Sequence, residues 1–496
     1  MTDSTQYFFK TVTPEEQEKI AYVPTFPELL EKMKKFYGEK EAVGDDKVTY
    51  TYNELCARVA RRRAFLYEQG FKAGEKIAVM SRNGVDAMEW YLAIPSAGLT
   101  IIMLPVQLND QALKGVSMKF GISAIFSQEE FMPLMGEVPA KVFPIESIAE
   151  TEAPYGEGIV KTTVAAIYFT GGTTGAPKGV VLNHGALLRG GFNGTFRSTQ
   201  VFDNRYITFL PMSHIFGSVC GFLTAMYTGA FLYACGDMKR AVGLIPVVKP
   251  TCLVVVPGLA EIIVSLAKVK GKEFLGNLNT LIVGAAPVPP RLMDDFRAFG
   301  IFPFPGYGLT EGANLTCANM DAATKPHSMG IIYPGQEVKV VNGELWIKGD
   351  NIMDGYYNDP EATAAVMEDG FLKTGDLVEF DEDGFITIVG RIKNLIILPN
   401  GENVSPEEIE DTFYKESFVK DCLVTEQQMN GEAVIAIEIL PYGPEVEGLT
   451  PAEIQAKAEE VVAKVNATQP TFKRVMKVSV RDTDFKRTPA MKIARN

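Results

Sequence analysis

Apolar residues recur along this chain with two alternating periods. Short β-branched runs at 76–80, 253–256 and 280–283 read as buried strands, and 53–69, 259–269 and 289–299 carry helical spacing. Pro289 and Pro290 suit the start of the last of these helices. Such alternation predicts an α/β architecture, with parallel-rich sheets covered by helices. In such sheets ligands gather at the C-terminal ends of the strands. The loops opening at Thr170, Gly284 and Gly306 each follow an apolar strand and so stand where a ligand would bind.

Beyond Gly390 the pattern changes. Ser405, Pro406, Glu407 and Glu408 form the spacing of a capping box with proline at the first helical position, predicting a helix over 406–414. A strand over 432–440 and an amphipathic helix over 450–467 follow. About a hundred residues with helices and strands of their own imply a small separate α+β domain.

One stretch, 206–236, holds no Asp, Glu, Lys or Arg and is long enough to span a membrane. Pro211, Ser213, His214, Thr228 and the glycines at 217, 221 and 229 interrupt it. It reads instead as a core segment: a strand over 206–210, a loop, a helix near 217–226, a turn at Thr228 and Gly229, and a strand over 230–233.

Length and composition narrow the class. At 496 residues the chain should hold more than one domain. A net charge of −13 argues against nucleic acid as the main partner, yet leaves room for local Lys and Arg groups to hold an anionic ligand. The six cysteines are scattered, with no C-x-x-C pair, which fits reduced thiols in a cytoplasmic protein. The first residues lack the basic and apolar regions of a signal peptide.

The most chemically loaded segment is 164–182. An apolar strand is followed by Thr170, Gly171, Gly172, Thr173, Thr174, Gly175, Ala176, Pro177 and Lys178, and then by a second apolar run. Glycines let backbone N–H groups approach an anion, threonines add hydroxyl donors, and Lys178 adds a mobile positive charge. That is the chemistry of a polyphosphate cradle. It is not the P-loop of kinases, because Gly179 rather than Ser or Thr follows the lysine.

This loop resembles the signature of the adenylate-forming superfamily, which includes acyl-CoA synthetases, luciferases and peptide-synthetase adenylation domains. Further matches follow in order: Gly284, Ala285, Ala286 and Pro287; Gly306 to Glu311; Gly343 to Leu345; Met353 to Tyr357; Lys373 to Leu377; Gly390 to Lys393; Gly401 to Val404; and Lys486 to Ile493. The resemblance implies a large N-terminal domain, residues 1–390, and a small mobile C-terminal lid, residues 391–496, with a hinge at Lys393.

It also implies ATP, Mg²⁺ and CoA as the reacting partners of a carboxylic acid. The acid would first become an acyl-adenylate and then a thioester. Glu311 matches the family's metal ligand, and one carboxylate plus phosphate oxygens suffices for Mg²⁺. Lys492 matches the lysine that contacts the carboxylate and α-phosphate, with Met491 where the family usually has Gly. Asp376 would accept from the ribose hydroxyls, and Arg391 would reach the ribose or phosphate. Tyr307 would stack on adenine, with Gly284, Ala285 and Ala286 leaving room for the ring; Gly308 belongs to the same motif. Thr310 would donate to the α-phosphate. His214 matches the aromatic position beside the substrate carboxylate, and Gly401 lies on the face that would meet CoA. Gly171 stands where relatives often carry Ser.

Amino-acid-activating relatives place Asp after the His214 position to hold an ammonium, whereas this chain has Ile215. A buried ammonium without a carboxylate would be costly. Phe216, Val219 and Phe222 suggest an apolar tail. The stretch 394–401 is most similar to bacterial fatty-acyl-CoA synthetases, so the expected substrate is a medium- to long-chain fatty acid. The alternatives are an aryl or bile-type acid, an acyl-adenylate handed to a free acyl carrier protein, or an inactive nucleotide-binding regulator. The presence of Lys178, Glu311 and Lys492 speaks against the last. Oligomeric state is open, a homodimer being one form.

Overall fold

The computed structural model describes residues 12–170, 178–197, 199–398, 402–429, 432–487, 493 and 495. The expected strands form where the apolar runs lie, at Lys76–Met80, Val164–Thr170, Cys252–Val255 and Thr280–Gly284. The expected helices appear as Tyr52–Glu68, Pro257–Lys270 and Pro290–Ala298.

The largest sheet runs, in spatial order, Gly355–Tyr356, Lys178–Asn183, Val164–Thr170, Thr100–Leu104, Lys76–Met80, Ile122–Ser127 and Lys141–Pro144. Its last five strands are parallel. The strand after the phosphate-type loop turns back antiparallel on Val164–Thr170, so the loop joins a hairpin. Alternate residues of this sheet enter two apolar clusters. Ile77, Val79, Ile101 and Met103 pack on one side, and Ala78, Met80, Ile102 and Leu104 on the other. Both faces are therefore buried, as a parallel sheet requires.

A second sheet pairs Cys252–Val255, Thr280–Gly284 and Phe302–Tyr307 in parallel and ends in two short antiparallel strands. A four-stranded sheet joins Thr49–Thr51, Glu41–Gly44, Phe231–Tyr233 and Arg205–Ile207. These sheets carry helices against them.

The sheets are parallel-rich but not parallel throughout, and over 336–391 the pairing is antiparallel. Gln336–Val341, Glu344–Gly349, Phe371–Phe380 and Ile386–Arg391 form an antiparallel sheet joined largely by tight turns. The structure differs from expectation in the uncharged stretch. The strand is Arg205–Ile207, shorter than 206–210, and the helix starts with π-helical turns over Phe216–Leu223 before Thr224–Thr228. A Cβ on Gly217 would fall 2.4 Å from the Pro211 carbonyl oxygen, so this helix packs directly on the preceding loop. Most of the stretch is buried, with Pro211 exposed, and no helix among the described residues is long and apolar enough to cross a membrane.

Past Ile396 the buried side chains form their own cluster. The strands Val419–Met429, Glu432–Pro441 and Lys477–Val480 make one sheet, accompanied by Pro406–Phe413 and Pro451–Thr468. Ser405 caps the first helix through the Glu408 N–H, but the box is half made. Glu408 turns instead to Lys473 at 2.6 Å, a charged partner that wins over the backbone N–H.

Candidate nucleotide and acyl site

A cavity of about 990 Å³ opens where the strand ends converge. Thr170 and Lys178, flanking the phosphate-type loop, line it. So do Gly284 at the end of one strand, Ala285 just after it, and Gly306 and Tyr307 at the end of the next. The parallel register sets Gly284 beside Gly306, so two loops leave one sheet edge together.

The turn after Tyr307 is tight for a steric reason. A Cβ on Gly308 would lie 1.1 Å from the Asn314 carbonyl oxygen, a position only glycine can occupy. Ala313 and Asn314 take positive φ to close the turn, at 47° and 77°. The result is a short 3₁₀ turn, Thr310–Gly312, that brings Thr310 and Glu311 to the cavity wall.

Glu311 is held by a residue to which sequence reasoning assigned no role. The Tyr356 hydroxyl donates to Glu311 Oε1 at 2.8 Å, and Lys178 Nζ stands 4.8 Å over the Tyr356 ring. Burial and the Glu311 charge together push the Tyr356 phenol far above its ordinary range, so it remains a donor. Tyr356 reaches this place because its short strand pairs with Val180 and Val181. The signal in the sequence is the Met353 to Tyr357 match, which by itself assigns its tyrosines no function.

Asp376 is 1% exposed and fully engaged. The Tyr307 hydroxyl donates to Oδ2 at 2.5 Å, Arg391 Nε donates to Oδ1, and Arg391 Nη2 donates to Oδ2 at 3.1 Å. Asp376 and Arg391 face each other across the antiparallel sheet. Arg391 is drawn two ways: burial disfavours its charge, while Asp376 favours it and leaves its affinity for the proton raised. Burial and the same carboxylate push Tyr307 upward. The expected ribose acceptor therefore does not itself line the cavity but ties together Tyr307 and Arg391, which do, as do its neighbours Thr374 and Gly375. Glu344 supports that turn, accepting from the Gly375 N–H at 2.8 Å and the Trp346 indole at 2.9 Å.

His214 lines the cavity, and its Nδ1 accepts from the Phe216 N–H at 3.2 Å. In the neutral ring this places the proton on Nε2. Ile215, Phe216 and Cys220 continue the lining into an apolar recess with Ile282, Phe304 and Tyr333. Lys393 stands at the rim on a 3₁₀ turn, beside Arg391. Ala286 is not among the lining residues. Gly171, Gly172, Thr173, Thr174, Gly175, Gly401 and Lys492 lie outside the described residues. All six cysteines are buried and free.

Among the described residues no group of three or more His, Cys, Asp or Glu could cage a metal. One carboxylate, here Glu311, suffices for a Mg²⁺ that takes its other ligands from phosphate and water, so the residues fit that ion.

The AMP-binding enzyme family matches residues 30–357, and the AMP-binding enzyme C-terminal domain matches 393–496. The chain belongs to the AMP-binding enzyme family, with its large N-terminal part and small C-terminal part. It is similar to a feruloyl-CoA synthase of Amycolatopsis, 29% identical over 395 residues, covering 75% of this chain and 80% of that protein. It is also similar to a long-chain-fatty-acid–CoA ligase of Bacillus subtilis, 26% identical over 477 residues and covering 82% of each. In fold it matches the O-succinylbenzoate coenzyme A synthetase of Bacillus subtilis in complex with ATP and magnesium ion. That match has a TM-score of 0.80 and 21% identity, and covers 95% of this chain and 98% of that one.

Proposed function

We propose that this chain is an ATP-dependent acid:CoA ligase acting on a compact carboxylic acid of aryl or medium acyl size. One observation carries the reading: a single cavity joins a polar end built for a nucleotide to an apolar recess built for a tail. Its 990 Å³ must serve both. Pockets of roughly 300–1,000 Å³ commonly hold one drug-sized ligand, so nucleotide and acid together leave room for a short tail.

The residues divide the work accordingly. Both reactants are anions, so the first task is to supply positive charge and donors where they meet. Lys178 holds the β- and γ-phosphates, and Thr310 donates to the α-phosphate. Glu311 would hold Mg²⁺, which neutralises phosphate charge when bound, and Tyr356 fixes the carboxylate that does so. His214 donates from Nε2 to the substrate carboxylate. Lys492 bridges that carboxylate and the α-phosphate while the new oxygen–phosphorus bond forms and pyrophosphate leaves. The Asp376 triad holds Tyr307 as a wall for adenine. In the second step the CoA sulfur attacks the acyl carbon, the thiol proton is lost and AMP leaves. The lid, residues 391–496, turns at Lys393 between the steps and brings the Gly401 face to CoA.

The fatty acid expected from the sequence is the second reading. The uncharged recess around Phe216 and the 26% identity to a long-chain-fatty-acid–CoA ligase favour it. A pyrophosphate-release assay over aryl, medium-chain and long-chain acids decides between them. Turnover concentrated on aryl and medium acids supports the compact reading, and turnover rising with chain length favours the fatty-acid one.

A further inference from the structure

Arg197 lies at the far end of this cavity and is 2% exposed. It follows the helix His184–Asn193. Its Nε donates to the Gly194 carbonyl at 3.0 Å, and its Nη1 points at the Cys252 thiol at 3.7 Å. The Tyr206 phenol stands beside it, with the ring centroid 5.8 Å from the guanidinium carbon. Nη2 is buried with no hydrogen-bond partner. All these neighbours are neutral, and Arg197 makes no ion pair among the described residues.

A guanidinium stays charged in any protein environment. Burying it without a counter-ion is costly. The C-terminal end of His184–Asn193 offsets about half an elementary charge, which leaves the group short of a full partner. Every other charged side chain of the cavity wall, Lys178, Glu311, Glu344, Lys373, Arg391 and Lys393, belongs to the nucleotide end or the rim. The apolar side chains of the same wall include Phe196, Cys220, Ile282, Phe304 and Met320. A lone buried cation at the end of an apolar recess is half of an ion pair.

The strand register gives the spacing. Cys252 pairs with Thr280, four residues before Gly284 at the nucleotide end. At about 3.3 Å per residue that is roughly 13 Å of recess between Arg197's neighbour and the nucleotide loops. We infer that Arg197 seats a second carboxylate of the acid, so that the preferred substrates are dicarboxylic acids, activated at one end and held at the other. This deepens the acid-ligase reading above and rests on it. The bidentate geometry of guanidinium and carboxylate suits the task, and the incoming anion brings the missing charge.

The test compares acids that differ only in the second carboxylate: suberate with octanoate, and para-carboxycinnamate with cinnamate. Pyrophosphate release gives kcat/KM for each with the wild-type chain, Arg197→Met and Arg197→Lys. The wild type should favour the dicarboxylic member of each pair by about 100-fold, the discrimination a charged hydrogen-bond site achieves. Arg197→Met should invert that ratio, and Arg197→Lys should keep part of it. A wild-type preference for the monocarboxylic acids overturns the inference. So does a ratio unchanged by Arg197→Met, which would make the arginine a helix cap alone. Should Arg197→Met fail to fold by circular dichroism, the wild-type ratio decides, and a ratio at or below unity overturns the inference. Turnover of octanoate without preference for suberate sinks this inference but not the acid-ligase reading; no turnover with any acid sinks both.

Discussion

The two ends of the cavity are built on opposite electrostatic plans. At the nucleotide end the charges are organised in advance: Asp376 is tied to Arg391 and Tyr307, Glu311 to Tyr356, and Lys178 stands over an aromatic ring. At the acyl end an apolar recess carries one buried guanidinium whose Nη2 has no partner. The first plan suits a ligand that is always the same, because a fixed frame costs no reorganisation when it binds. The second leaves the last contact to the acid itself. Substitutions at the nucleotide end should therefore slow activation of every acid by a common factor, and substitutions in the recess should change the ranking of acids.

The largest expected effects fall on the proposed lid. Lys492→Ala should cost adenylation about 3–4 kcal/mol, the scale for loss of one transition-state donor. It should spare thioester formation from preformed acyl-adenylate. Lys393→Pro should do the reverse if Lys393 is the hinge, since proline fixes φ there and removes an N–H. Assaying the two half-reactions separately tests both. Equal losses in both steps for either variant would remove the lid from the account.

Next is the Asp376 triad. Asp376→Ala leaves the half-buried Arg391 and the Tyr307 hydroxyl without their carboxylate, and breaking such a pair costs about 3 kcal/mol. Thermal melting should drop, and kcat/KM should fall by one common factor for aryl and aliphatic acids. A factor that differs between acids would mean the two ends are not independent.

A smaller effect attaches to Tyr356. Tyr356→Phe removes the donor that orients Glu311 and should slow adenylation about 10-fold while raising the Mg²⁺ concentration needed for half-maximal rate. Glu311→Gln should raise that requirement further, with the fold intact. An Mg²⁺ titration curve unchanged in both variants would place the metal elsewhere.

The smallest effect is on stability and lies outside the cavity. Burial pushes the Glu410 carboxyl up from 4.5 to about 7, against the pull of Arg495, and pushes Asp411 to about 6. Between about 4.5 and 7 the folded chain holds protons that the unfolded chain has released. Stability of the C-terminal part should thus fall as pH rises through that window and recover on acidification. Denaturant midpoints measured across it should flatten in Glu410→Gln. An unchanged slope in that variant would assign the linkage to other groups.

The same contrast explains what could be read from the residues alone. Motifs mark the nucleotide end because a constant ligand demands particular residue types in particular loops: Thr170, Lys178, Gly284, Gly306, Thr310 and Glu311 all reach one cavity. The strand periods were legible too, as at Lys76–Met80 and Thr280–Gly284. The antiparallel sheet behind Asp376 was not, because half-buried strands joined by tight turns carry no βα rhythm. Tyr356 was hidden since its partner Glu311 is 45 residues away in the chain. Arg197 gave no signal, because an arginine beyond a helix reads as solvated until the packing shows it buried.

In the proposed reaction the two ends of one cavity join an acid to AMP and then to CoA. Mass spectrometry of single-turnover mixtures tests it most directly. With ATP, Mg²⁺ and a matched acid but no CoA, acyl-adenylate and pyrophosphate should accumulate in equal amounts. Adding CoA should convert the adenylate to acyl-CoA and AMP. Release of ADP and phosphate, or an adenylate that persists when CoA is added, would contradict the account.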